Sequence, residues 1–244
     1  MRMVKSQLPD SFNFDGVRLG PGTNFVKLVR QQLKDGSVWP SGDSGTEQGI
    51  RRVIYAAQGT SAQAQLMDAL LQLLADEDTS VRTGAIGLVW ENADKVDARV
   101  LLRALDDHPS LYGGVKPVHA PQSYMPDLAW GLIQAMNASP RPDGQVIARL
   151  RQAAEDPDNG FRVFGGLAAH DPDWLIDHAA ALVSHQPVRA RIILGNLKTP
   201  KQRERFVRAL ANEPANFRQE LVGAIADKVA NSAEGERLKS IVAE

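Results

Sequence analysis

The residue types best suited to recognition chemistry gather between His108 and Met125, where Tyr112, Lys116, His119 and Tyr124 share a stretch with three prolines and the Gly113-Gly114 pair. Tyrosines and cations of this kind anchor protein interfaces. Prolines and adjacent glycines exclude a continuous helix here, and a loop this long within a compact array is uncommon. Trp39, in a second Gly/Ser/Pro-rich stretch, is a further aromatic anchor, and Arg189 with Arg191 supplies a charged edge. The expected binding set is therefore Trp39, Tyr112, Lys116, His119, Tyr124, Arg189 and Arg191. The same loop also suits an insertion lying along its neighbours with its tyrosines half buried.

Catalytic and metal chemistry find less to work with. His108 and His119, with Asp106 or Asp107, match no metal-ligand spacing, and the absence of cysteine excludes thiolate sites and disulfides. Gly113-Gly114 lacks the lysine and the strand of a phosphate loop. There is no Gly-x-Ser-x-Gly elbow. No catalytic residue, metal or cofactor is assigned, and the reading leans away from an enzyme.

Charge is distributed unevenly beneath a net −1. Pro187–Leu210 holds Arg189, Arg191, Lys198, Lys201, Arg203, Arg205 and Arg208 against Glu204; Glu155–Asp177 holds Glu155, Asp156, Asp158, Asp171, Asp173 and Asp177 against Arg162. Such neighbouring segments suit a structured binding surface or simply solvated helix faces.

The elements that must position these groups are helices. The chain of 244 residues is 43% hydrophobic, 23% charged and only 6% aromatic, the profile of a folded helical protein with a sizeable core. No apolar run reaches the length of a signal peptide or a membrane span, so the cytoplasm is the expected location. Leu66, Met67, Leu70, Leu71 and Leu74 recur at helical spacing from an expected N-cap at Ser61, and Val81, Ala85, Leu88 and Val89 begin a second helix after the turn at residues 76–79. So tight a join makes the pair antiparallel.

The unit returns downstream. Helix-turn-helix pairs are expected around Pro157, Pro187 and Pro214, which lie 30 and 27 residues apart. An arginine follows each turn, at Arg82, Arg162, Arg191 and Arg218, and then a glycine, at Gly87, Gly166, Gly195 and Gly223. A fixed period of this size marks stacked helical hairpins. A single helix is expected to carry Trp174, Ile176, Ala179 and Val183, and a last helix, Glu234 to Val242, closes the array.

This combination of turn acid or proline, early arginine and short hairpin resembles HEAT and PBS-lyase HEAT-like repeats over about Ser61–Val229. The resemblance implies an all-α, right-handed solenoid of about six antiparallel hairpins, used for binding proteins or nucleic acids. The expected organisation is an irregular N-terminal arm over residues 1–22, then one repeat domain over residues 23–244 with the inserted loop at 108–125. In such repeats the arginine is commonly structural, pairing with an acid or carbonyl; Asp78 and Asp158 are available for it. HEAT-like enzymes fit poorly: the di-iron hydroxylases use His-Glu pairs, and no histidine here precedes a glutamate. HEAT-like DNA glycosylases require a basic channel, against which stands the near-zero net charge; Trp90, Trp130 and Asp94 would be their stacking and catalytic groups. The resulting expectation is a non-catalytic protein-binding scaffold, adaptor or inhibitor, of which immunity or antitoxin proteins are one kind. Nucleic-acid binding through the basic C-terminal surface is the alternative.

Overall fold

A computed structural model of the chain describes residues 9–14, 17–34, 50–118, 120, 125–184 and 186–243. The protein is mostly helical (69%), with one two-stranded sheet among the described residues. It forms two compact units, Met1–Pro140 and Arg141–Glu244. No helix among the described residues is long and apolar enough to cross a membrane.

The first unit opens with β1 (Phe12–Phe14) and β2 (Val17–Leu19), antiparallel, with Phe12 opposite Leu19 and Phe14 opposite Val17. The loose alternation of the N-terminal arm thus becomes a folded-back ribbon that buries Phe12 and Leu19. Helices α1 (Phe25–Lys34), α2 (Ile50–Ala56), α3 (Ala62–Leu73), α4 (Thr79–Glu91), α5 (Ala98–Asp107) and α6 (Leu128–Asn137) follow. Helix α3 packs on α4, α5 on α6, α1 on α3, and α4 on α6. Val81 to Val89 are all buried, so α4 is enclosed on every side. A helix largely apolar around its circumference belongs in that place, and its buried Arg82 and Thr83 are hydrogen-bonded.

Capping differs from expectation. Ser61 takes helical dihedrals and its side chain caps nothing, whereas the Asp78 carboxylate accepts from the Ser80 N–H and starts α4. Asp76, in the same turn, accepts from Arg30 Nε at 2.7 Å and from the Asp78 N–H at 2.9 Å. Burial pushes its carboxyl up, but these bonds more than offset that and hold it below the usual carboxylate value. Its stabilising effect is therefore present above the ordinary carboxylate pKa and fades as pH falls through the lower folded one.

The described residues after α5 are hydrogen-bonded to the helices. They make a 3-10 turn at Pro109–Leu111. The Val118 N–H then donates to Thr83 Oγ1 on α4 at 3.1 Å, and Leu128 and Ala129 N–H groups at the start of α6 donate back to Val115 and Tyr112 carbonyls. Met125 is fully buried beside Gly131 of α6, where an added Cβ would lie 2.7 Å from Ile86 Cγ2 and 2.8 Å from Met125 Sδ. Glycine at 131 is what allows this close approach.

The second unit comprises α7 (Gly144–Ala154), a 3-10 turn at Gly160–Val163, α8 (Phe164–His170), α9 (Pro172–Asp177), α10 (Ala179–Val183), α11 (Pro187–Asn196), α12 (Pro200–Ala209), α13 (Ala215–Lys228) and α14 (Ser232–Ala243). Asp143 caps α7, and Thr199 with Gln202 forms a capping box on α12. The expected single helix through Trp174 and Val183 is broken at His178, whose ring stacks on Trp174 at 4.4 Å. Helix α11 packs between α8 and α13, while α12 contacts both α9 and α14. Phe164, Phe206 and Phe217 fill the interior.

Candidate functional site

Helix α11 begins at Pro187, whose missing N–H and fixed φ suit the first helical position. Its sequence carries apolar residues on two faces. Arg189, Ala190, Ile193 and Leu194 are buried in the unit. Val188, Arg191, Ile192 and Gly195, at spacings of three and four, run down the opposite side and with Asn196 and Lys228 of α13 line an open groove. Val188 is 61% exposed, unusual for a branched apolar side chain. Gly195 lets the Lys228 stem lie close by; an added Cβ would lie 3.3 Å from Lys228 Cδ. At the rim Asp227 accepts from Arg191 at 2.7 Å and approaches Lys228 Nζ at 3.1 Å. The hydrogen bonds from Lys228 and Arg191 hold its carboxyl below the usual range. One carboxylate facing two cations leaves the rim locally positive.

The residues expected to bind are placed very differently from one another. Trp39, His119 and Tyr124 lie outside the described residues. Tyr112, expected as an exposed anchor, is fully buried and its hydroxyl donates to the Leu74 carbonyl at 3.0 Å. That corrects the assignment: the ring completes the core where the loop crosses the end of α3. Lys116 is exposed, with its ammonium on the Pro126 carbonyl at 3.2 Å.

Arg189 is the second correction. It is 3% exposed, and its guanidinium donates to the carbonyls of Leu182 (2.8 Å), Asp156 (3.2 Å) and Pro157. A side chain so held offers no charge to a partner. Arg191 does stay at the surface, in the rim described above.

The repeat arginines divide the same way. Arg82 is buried and donates to the carbonyls of Asp76 and Glu77 and to Thr79 Oγ1. Its expected acid, Asp78, is occupied as the cap of α4. Arg218 reaches the Val242 carbonyl. In the third pair the carbonyl-binding role belongs to Arg189, two residues before the expected Arg191. Arg162 donates to Asn159 Oδ1 at 3.1 Å and lies over the Phe161 ring. Arg162→Ala should lower the melting temperature by a few degrees, about 1 kcal/mol for one charged hydrogen bond and its packing; an unchanged melting curve would remove its structural role.

The opposed charge runs meet at Arg205, while the other paired cations of the basic run find acids elsewhere. Arg205 bridges Asp173 and Asp177, Arg203 binds Glu234 at 2.7 Å and the Leu197 carbonyl, and Arg208 and Arg237 share Glu204. Lys198 and Lys201 remain exposed. Of the groups a base-modifying enzyme would use, Trp130 is buried in α6 and Asp94 is exposed beside Lys95. Among the described residues no three His, Asp or Glu side chains gather as a metal site. No family model, curated protein or solved structure matches the chain.

Proposed function

We propose that the protein is a non-catalytic, protein-binding scaffold of HEAT-like helical hairpins, an adaptor or inhibitor of its partner. The observation that carries this reading is the α11 stripe. It is an apolar strip of Val188 and Ile192 left open beside a charged rim, the anatomy of an interface with an apolar centre and a polar border. The packing of α8, α11 and α13, with α9, α12 and α14 alongside, supports the repeat arrangement.

Nucleic-acid binding is disfavoured by the internal pairing of Arg203, Arg205 and Arg208, since phosphate recognition needs cations free to release counterions. The test is affinity capture of the tagged full chain from its native lysate, with and without nuclease. A stoichiometric protein that survives nuclease is the expected result. Nucleic acid in the eluate, with every protein lost on nuclease treatment, would overturn the reading.

A further inference from the structure

We propose that the α11–α13 groove seats an extended segment of a partner protein in which one unbranched apolar side chain, that of methionine, is flanked by acidic residues. The proposal rests on the protein-binding reading above and names the chemistry of its partner.

Three observations converge on it. The groove is lined by Val188 and Ile192, one helical turn apart, with Gly195 a turn further along. Burying such side chains stabilises by about 25 cal/mol per Å² removed from water. The rim is locally positive, because Asp227 alone faces both Arg191 and Lys228. An acidic flank complements it, and a basic one is repelled. Finally, the first unit contains the same kind of contact within the chain itself. There Val118 donates its backbone N–H to Thr83 of α4, and the unbranched side chain of Met125 lodges against Gly131 of α6 beside Ile86 of α4. Methionine suits such seats because it is flexible and polarizable. Helix α11, like α6, has a glycine among apolar residues, here on a face open to solvent with the Lys228 stem alongside.

The test uses the full chain and three short synthetic peptides followed by fluorescence anisotropy. One carries a methionine between acidic residues, one replaces the acids by lysines, and one replaces the methionine by alanine. The acidic methionine peptide should bind at least about tenfold more tightly than either control. Ile192→Asp should weaken it about tenfold or more, and Lys228→Glu about fivefold. Ile192 is half-buried, so the melting temperature of its variant is checked alongside, and Val188→Asp, at a side chain 61% exposed, should weaken binding likewise without loss of fold. Equal affinity for the acidic and lysine peptides, or binding indifferent to Ile192→Asp, overturns the proposal. A captured protein partner that is likewise indifferent to Ile192→Asp overturns the groove assignment while leaving the scaffold reading intact. Capture of nucleic acid alone refutes that broader reading.

Discussion

Tyr112→Ala should be among the most destabilising single substitutions in this protein, costing about 3–5 kcal/mol, as complete truncation of a buried aromatic does. The ring is wholly enclosed, so alanine leaves a void that the surrounding helices close only in part. It also removes the bond that ties the loop after α5 to the Leu74 carbonyl. Thermal unfolding should shift downward by about 10 °C. Tyr112→Phe separates the two contributions: it keeps the packing, loses the hydroxyl bond, and should cost only about 1 kcal/mol. Burial also pushes the phenol pKa above its ordinary value, with Arg82 opposing. The folded chain therefore keeps a proton that the unfolded chain loses above about pH 10, and this group's stabilisation declines as pH rises past that point. The phenylalanine variant should show less of that decline. A melting temperature unchanged in Tyr112→Ala would refute the core assignment. Loss of a partner in that variant would report unfolding rather than a lost contact, so Ile192→Asp is the cleaner probe of binding.

Arg189→Ala should cost about 3 kcal/mol, while Arg191→Ala, two residues along the same helix, should cost under about 0.5 kcal/mol. Arg189 bridges the carbonyls of Asp156 and Pro157, in the turn after α7, to that of Leu182 in α10. Truncation strands these acceptors and opens space beneath α11. Arg189→Lys should recover only part of the loss, because a single ammonium cannot reproduce the planar fork that spans both turns. Arg191 instead holds a half-exposed surface pair with Asp227, where solvent screens the attraction and side-chain entropy opposes it. Parallel urea titrations of the variants measure the difference. Equal midpoints for Arg189→Ala and Arg191→Ala would contradict the buried role.

Much of the local structure was written in the sequence, and the failures are instructive. The periodic leucines of α3 and the prolines that open α11 and precede α13 follow from side-chain spacing and backbone chemistry. Those are properties of a few consecutive residues. The pairing of β1 with β2 also had a signal in the sequence that alternation alone passes over: Asp15-Gly16 is a dipeptide of the kind favoured between paired strands. Ser61 and Asp78 are both good cap residues by type, and only their backbone conformations separate them.

Other decisions had no local signal. Arg189 and Arg191 are identical in type and project to different faces of one helix; which is buried depends on carbonyls more than thirty residues earlier in the chain. Tyr112 is equally suited to an interface or a core, and the choice was made by a carbonyl at Leu74 and by the space around it. The charge runs at residues 155–177 and 187–210 look like a surface field in one dimension but partly neutralise each other once α9 and α12 are packed together. The sequence by itself determined most of the helical segments, the proline-marked turns and which residues are apolar, because those depend on short-range sterics and hydrogen bonding. Tertiary structure alone decided which polar side chains are spent inside the fold and which apolar stripe, that of α11, is left uncovered, because burial is set by whatever distant segment fills the space opposite.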